Sequence, residues 1–230
     1  MPEQNEELFF SVLKKLKENG VLEDMVLIGS WCLFFYKQLF QDDPLLPAVK
    51  TMDMDLLVPR PRKRRVPVDV SALLESLGFK VKFDYTSGYY KYIRSDFTVE
   101  FLMPLRGSGE IPVEKVKPLN ISVQGLRHLE YHEDELINLE HKGCNIKLPR
   151  PEVFTLKKFL IHEKRLNPLK KEKDLATAQQ MGRLLLSRDE TLENLRTAFQ
   201  KFSKKQQKNL LRITKETAIR VYEVLAIKNS

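Results

Sequence analysis

Two aspartates, Asp53 and Asp55, stand one residue apart in the apolar run KTMDMDLLVP. In an extended strand, residues two apart share a face. Met52, Met54 and Leu56 then point the other way, into a core. Two neighbouring carboxylates repel unless something positive holds them ionised. A divalent cation bound through oxygen does this, and Mg²⁺ takes one or two carboxylates together with substrate phosphates. A half-exposed strand with an acidic solvent face is the other reading of the pair taken alone. Glu100, in the later run FTVEFLMP, adds a third carboxylate among Phe97, Val99, Phe101 and Leu102. An acid there needs a partner or a metal. If the two strands are neighbours, three carboxylates converge. Gly29-Ser30 lies between the apolar run DMVLI and the helical spacing of WCLFFYKQLF. Glycine lets the backbone approach a phosphate closely, and a helix N-terminus offers N–H groups and a positive dipole end. The Ser30 hydroxyl adds a donor.

Other groups have a chemical and a packing reading. His128 and His132 are four apart, a spacing that binds metal on a helix. Their order is not that of a metalloprotease motif, and no further ligand is obvious. Cys32 sits in an apolar helix and reads as core. Tyr89, Tyr90 and Tyr92 suit either base stacking or hairpin packing. The run RPRKRR places five basic residues between Arg60 and Arg65, directly after the aspartate strand. It reads either as a grip on a nucleic-acid backbone or second phosphate, or as a solvated loop.

The elements that must position these groups alternate in the first half of the chain. EELFFSVLKKLKEN has helical spacing and stops at Gly20. DVSALLESLGF is an amphipathic helix ending at Gly78. KVKFDYT and YYKYIRS read as strands joined at Ser87-Gly88, FTVEFLMP as a strand ended by Pro104, and PLNISVQGL as one more. The second half is helical. PRPEVFTLKKFLIHEKRL opens with Pro151 in a first turn, which tolerates it. KKEKDLATAQQMGRLLLS, RDETLENLRTAFQKF and KKQQKNLLRITKETAIRVYEVLAI follow, with Asp189 and Ser203 as expected caps. The layout is an α+β part over residues 1–149 and a helical part over residues 150–230.

With 230 residues the chain has ample length for a core, and 42% hydrophobic against 30% charged residues is ordinary for a globular protein. No apolar stretch is long enough to cross a bilayer, so no membrane role is expected. The acidic start MPEQNEELFF lacks the basic, apolar plan of a signal peptide. Two cysteines do not make a disulfide framework, and a cytoplasmic setting is the simplest reading. The net charge of +8 is uneven. Residues 1–149 carry 20 Lys and Arg against 22 Asp and Glu, whereas residues 150–230 carry 19 against 9. That asymmetry fits either a polyanionic partner or lysine-rich solvated helix faces.

Strand, Gly-Ser, helix, a strand with D-x-D, then a strand with a third acid resembles the nucleotidyltransferase superfamily of the DNA polymerase β type. GSWCLFFY followed by TMDMDLLVP is most similar to its bacterial stand-alone branch, whose pattern begins Gly-Ser-Trp. The resemblance covers the first half and extends loosely over PRPEVFTLKKFLIHEKRLNPLKKEKDLATAQQM. It implies a nucleotidyltransferase fold, with a mixed β-sheet flanked by helices, followed by a helical C-terminal domain. It implies transfer of a nucleoside monophosphate from an NTP to an acceptor hydroxyl, with release of pyrophosphate. The acceptor could be a protein, an RNA 3′ end or a small molecule. Mg²⁺ (or Mn²⁺) is the implied cofactor, as two ions between the carboxylates and the triphosphate. Asp53 and Asp55 would bridge the ions. Glu100, where the family often has Asp, would hold the ion nearest the acceptor. Gly29 and Ser30 would cradle the β- and γ-phosphates, and Lys158, Lys171 and Asp174 would complete nucleotide binding. The basic second half favours tRNA or another RNA, and toxin-type relatives suggest an antitoxin-type protein partner. Competing readings are a catalytically silent nucleotide- or RNA-binding module and a partner-regulated toxin–antitoxin component.

Overall fold

The apolar spacing of the first segment forms helix α1, Pro2–Glu18, and the chain leaves it through Gly20 at a positive φ of 61°. The computed structural model describes residues 2–41, 43–47, 51–59, 66–85, 88–105 and 113–227. The basic run Arg60–Arg65 and the turn position Ser87 lie outside them. The chain divides into two compact units, Met1–Cys32 with Val49–Leu148, and Leu33–Ala48 with Pro149–Ser230.

The first unit is built on a sheet. After α1 come β1 (Val26–Ile28), a 3₁₀ turn over Gly29–Trp31, and α2 (Cys32–Phe40), which carries the chain into the second unit. Then follow β2 (Asp53–Leu57), α3 (Val70–Ser76), β3 (Lys80–Phe83), β4 (Tyr90–Arg94), β5 (Phe97–Pro104), β6 (Val113–Val116) and β7 (Ile121–Leu126). Helix α3 starts where the Asp69 carboxylate accepts from the Ala72 N–H at 2.9 Å. The sheet runs β1-β2-β5-β4-β3, and β7, itself paired with β6, joins β5 over Leu102–Pro104. Strands β2 and β5 are parallel, while β1–β2, β3–β4 and β4–β5 are antiparallel. Met54, Leu56, Val99, Phe101 and Tyr92 are wholly buried, and Phe9 stacks on Trp31 with ring centroids 4.0 Å apart.

A hairpin follows, β8 (Leu136–His141) and β9 (Cys144–Pro149), turning at Lys142-Gly143 with both residues at positive φ. The sequence pattern did not assign these strands, nor β6. Every position of β8 is half-buried or exposed, so its apolar alternation is weak.

The second unit contains α4 (Pro151–His162), α5 (Pro168–Leu186), α6 (Asp189–Lys201), α7 (Lys204–Thr217) and α8 (Ile219–Ala226). Pro151 and Pro168 occupy first-turn positions. Ser203 caps α7 in a capping box with Gln206, as its position suggested. Asp189 does not cap α6: the cap position is Arg188, and Asp189 is the first helical residue. The last segment is two helices rather than one. Ala218 leaves helical geometry, and Gln179 Nε2 donates to the Thr217 carbonyl at 2.6 Å, taking an acceptor that a continuous helix would use.

Candidate active site

Pairing between strands decides which charged groups meet. Cα partners across β1, β2 and β5 are Ile28, Asp55 and Glu100. Directly paired residues present their side chains on one face, so Asp55 and Glu100 are side by side, with Asp53 two residues before Asp55 on the same face. All three carboxylates are half-buried. The Met54 and Leu56 side chains are fully buried behind them, as alternation requires, but Met52 is 49% exposed and lies outside the strand. Thr51 Oγ1 accepts from the Asp53 N–H at 3.2 Å, and the Thr98 N–H donates to the Met52 carbonyl at 2.8 Å, which fixes the entrance to β2.

Gly29 comes directly after Ile28 and so lies against Asp55. Its φ is +76°, a conformation open to glycine but costly for other residues. A Cβ there would stand 2.2 Å from Asp55 Oδ2. The absence of a side chain therefore gives the Asp55 carboxylate its place. Ser30 is buried in the 3₁₀ turn that runs on into α2.

The row continues beyond the residues the sequence singled out. Tyr92 pairs with Val99 across β4 and β5, and one step further in that register puts Lys91 opposite Glu100. Lys91 Nζ donates to Glu100 Oε1 at 2.9 Å. Burial alone would lower the Lys91 pKa, but the bond to Glu100 and the charges of Glu100, Asp53 and Asp55 outweigh it and hold the ammonium above its ordinary value. Lys91 is in turn paired with Lys82 on β3. From β1 outwards the row thus reads apolar, acid, acid, base, base. Alternation in YYKYIRS was the available signal for Lys91, because it sets Lys91 on the face opposite the buried Tyr92.

The tyrosines are largely absorbed by packing. Tyr89 is buried, donates to the Phe101 carbonyl at 3.2 Å, and has its pKa pushed up by burial and then by the charges of Glu100 and Asp55. Tyr92 hydrogen-bonds Ser71 and sets its ring edge-on to Phe101. Cys32 is buried with its thiol 3.4 Å from the Leu27 carbonyl, a core position. The two histidines do not share a helix. His128 is in a turn at φ +64°, and His132 caps the short 3₁₀ segment Glu133–Glu135, so the helical metal spacing is not realised.

In the second unit Lys158 and Asp174 form a buried ion pair, and Arg165 Nε adds a second contact to Asp174 at 2.8 Å. Burial alone would raise the Asp174 pKa, but Lys158 and Arg165 outweigh it and hold the carboxyl below its ordinary value. Lys171 lies in the first turn of α5 with its side chain exposed. Of Lys158, Lys171 and Asp174, all expected at the nucleotide, Lys171 alone is exposed. Arg165 had no distinguishing signal in the sequence, since nothing local marks which lysine or arginine meets Asp174.

The donor chemistry of the row suits a hard cation: carboxylate oxygens from Asp53 and Asp55 on one strand face, with Gly29 giving the Asp55 carboxylate its room. Lys91 holds one oxygen of Glu100. Among the described residues, no three His, Cys, Asp or Glu side chains are grouped to hold a metal ion. No helix among them is long and apolar enough to cross a membrane.

A family profile described as nucleotidyltransferase matches residues 7–203. Comparison with curated proteins gives no match. Among solved structures, an antigenic nucleotidyltransferase-like protein from Paracoccidioides brasiliensis is similar, with a TM-score of 0.52 at 19% identity over 97% of this chain and 94% of that one. That likeness is one of fold: a mixed sheet with flanking helices, followed by a helical C-terminal region. ANT(2")-Ia in complex with adenylyl-2"-tobramycin gives a TM-score of 0.48 at 17% identity, over 84% of this chain and 95% of that one.

Proposed function

The chain belongs to the nucleotidyltransferase family, and we propose that it moves a nucleoside monophosphate from an NTP to an acceptor hydroxyl at the carboxylate row of its first unit, releasing pyrophosphate. The observation that carries this reading is the parallel pairing of Asp55 with Glu100, with the side-chain-free Gly29 against Asp55. On this reading Asp53 and Asp55 hold a divalent cation, Mg²⁺ or Mn²⁺. Bound there, the ion would neutralise charge on the triphosphate and polarise the phosphorus under attack. Gly29 and Ser30 offer backbone N–H groups and a hydroxyl to the departing phosphates. Glu100 has a carboxylate oxygen to accept the proton of the attacking hydroxyl. Positioning and charge neutralisation supply the rate, with little covalent chemistry asked of the protein. Lys158 and Asp174 serve the second unit's fold rather than the nucleotide. Neither an RNA nor a protein partner enters this reading.

The test is label transfer. The full chain is incubated with each of the four NTPs, labelled in parallel reactions at the α- or the γ-phosphate, with Mg²⁺ or Mn²⁺ and separate pools of RNA, protein and small molecules from a lysate. Label is expected to move from the α-phosphate and not from the γ-phosphate, with pyrophosphate formed alongside. The labelled species then identifies the acceptor. Transfer of γ-label instead, or no transfer with any NTP, would contradict the reading.

A further inference from the structure

The carboxylate row contains a cation of its own. Lys91 comes from β4, two strands away from Asp55, and reaches Glu100 at 2.9 Å. The pair is not a loose surface contact: side-chain exposure is 35% for Lys91 and 19% for Glu100. Lys91 is paired with Lys82 on β3 and Glu100 with Asp55 on β2, and the β4–β5 register, continued one step past Tyr92 and Val99, sets the two opposite each other. An ammonium and a metal ion compete for the same carboxylate lone pairs, because each is satisfied by oxygen and each repels the other. Asp53 and Asp55, on β2, are one strand further from Lys91.

We propose that Lys91 is a built-in counter-cation of the carboxylate row, holding Glu100 so that one divalent ion binds tightly through Asp53 and Asp55 while a second must first displace the lysine from Glu100. This rests on the function proposed above. The row is thereby divided into a two-carboxylate seat and a third acid released only when Lys91 lets go. Lys91 acts through Glu100 and is a positioning residue. Ordered entry follows: the second ion enters after the first, and more weakly.

Mn²⁺ is the probe, titrated into the full chain with a non-hydrolysable NTP analogue present and followed by the EPR signal of the free ion. Wild type is expected to take up one tightly held ion. Lys91→Met should gain a second, with its dissociation constant lowered by about tenfold or more, the scale on which a nearby opposite charge shifts a carboxylate equilibrium. The double variant Lys91→Met/Glu100→Gln should return to one ion, and Lys91→Arg should behave as wild type. If Lys91→Met fails to fold, Lys91→Gln carries the same test, with a thermal melt as the check. Unchanged or weaker binding of the second ion in the lysine variants would overturn the proposal and leave Lys91 a structural partner of Glu100. Mn²⁺ uptake unaffected by Asp53→Ala/Asp55→Ala would overturn the metal seat itself, a separate failure that the lysine variants do not produce.

Discussion

The two units each contain a charge cluster, and the clusters are built differently. In the first, the Asp53, Asp55 and Glu100 carboxylates and the Lys91 ammonium share a sheet face, these four half-buried. In the second, one carboxylate meets two cations, and Asp174 is 4% exposed. The first leaves its carboxylates half-buried, open in part to solvent. The second satisfies its carboxylate from two sides and gives up access to do so. A buried ion pair gains little net stability over apolar packing, yet removing one partner leaves a buried charge uncompensated. A half-exposed row of carboxylates suits binding, and a buried ion pair suits the fold. Lys158, a lysine expected at a triphosphate, is in this structure the partner of Asp174.

The sharpest way to break this contrast is to remove a carboxylate from each cluster. Asp53→Ala should lower nucleotidyl transfer by roughly a hundred- to a thousandfold, the scale of losing a key electrostatic stabiliser, while the thermal midpoint stays close to wild type. Asp174→Ala should do the reverse, costing about 3 kcal/mol in denaturant unfolding because Lys158 is left buried without its carboxylate. Equal stability losses in the two variants would erase the distinction.

Gly29→Ala tests whether the backbone serves the Asp55 carboxylate. The new Cβ meets Asp55 Oδ2, and φ is unfavourable for alanine, so a loss of at least about 1 kcal/mol is expected. Transfer should fall further than that stability loss explains, because Asp55 must move.

The pH dependence sharpens the account of the second cluster. Asp174 has a folded pKa below its unfolded value. Its contribution is therefore complete above about pH 4, near the unfolded pKa, and is lost as pH falls through the folded value. Asp174→Asn should flatten that acid limb in urea unfolding measured across pH. The smallest effect is expected at Ser203→Ala, which removes the α7 cap and costs about 1 kcal/mol with no change in transfer per folded molecule.

Much of the candidate site is legible in local sequence. The alternation around Asp53 and Asp55 gave the strand and its outward face, and the Gly29-Ser30 step gave the junction to a helix, because both signals are local. Glu100 was recognisable as an acid needing a partner, but the partner was not. Lys91 meets it through a register set between strands, which no short stretch of sequence encodes. Ala218 is a good helix former, so the break between α7 and α8 could not be read from it; a long-range bond from Gln179 accompanies that break. The pairing of Lys158 and Arg165 with Asp174 was hidden for the same reason, since several cations lie within reach in sequence and packing selects among them.

The central claim is that the acidic row of the first unit performs the transfer. Its most direct test is the initial rate of α-phosphate label transfer by Asp53→Ala/Asp55→Ala beside wild type, at equal concentrations of folded protein confirmed by thermal melts. Transfer at background level in a variant that melts as wild type does is the predicted result. A folded double variant that transfers label at the wild-type rate would contradict the account.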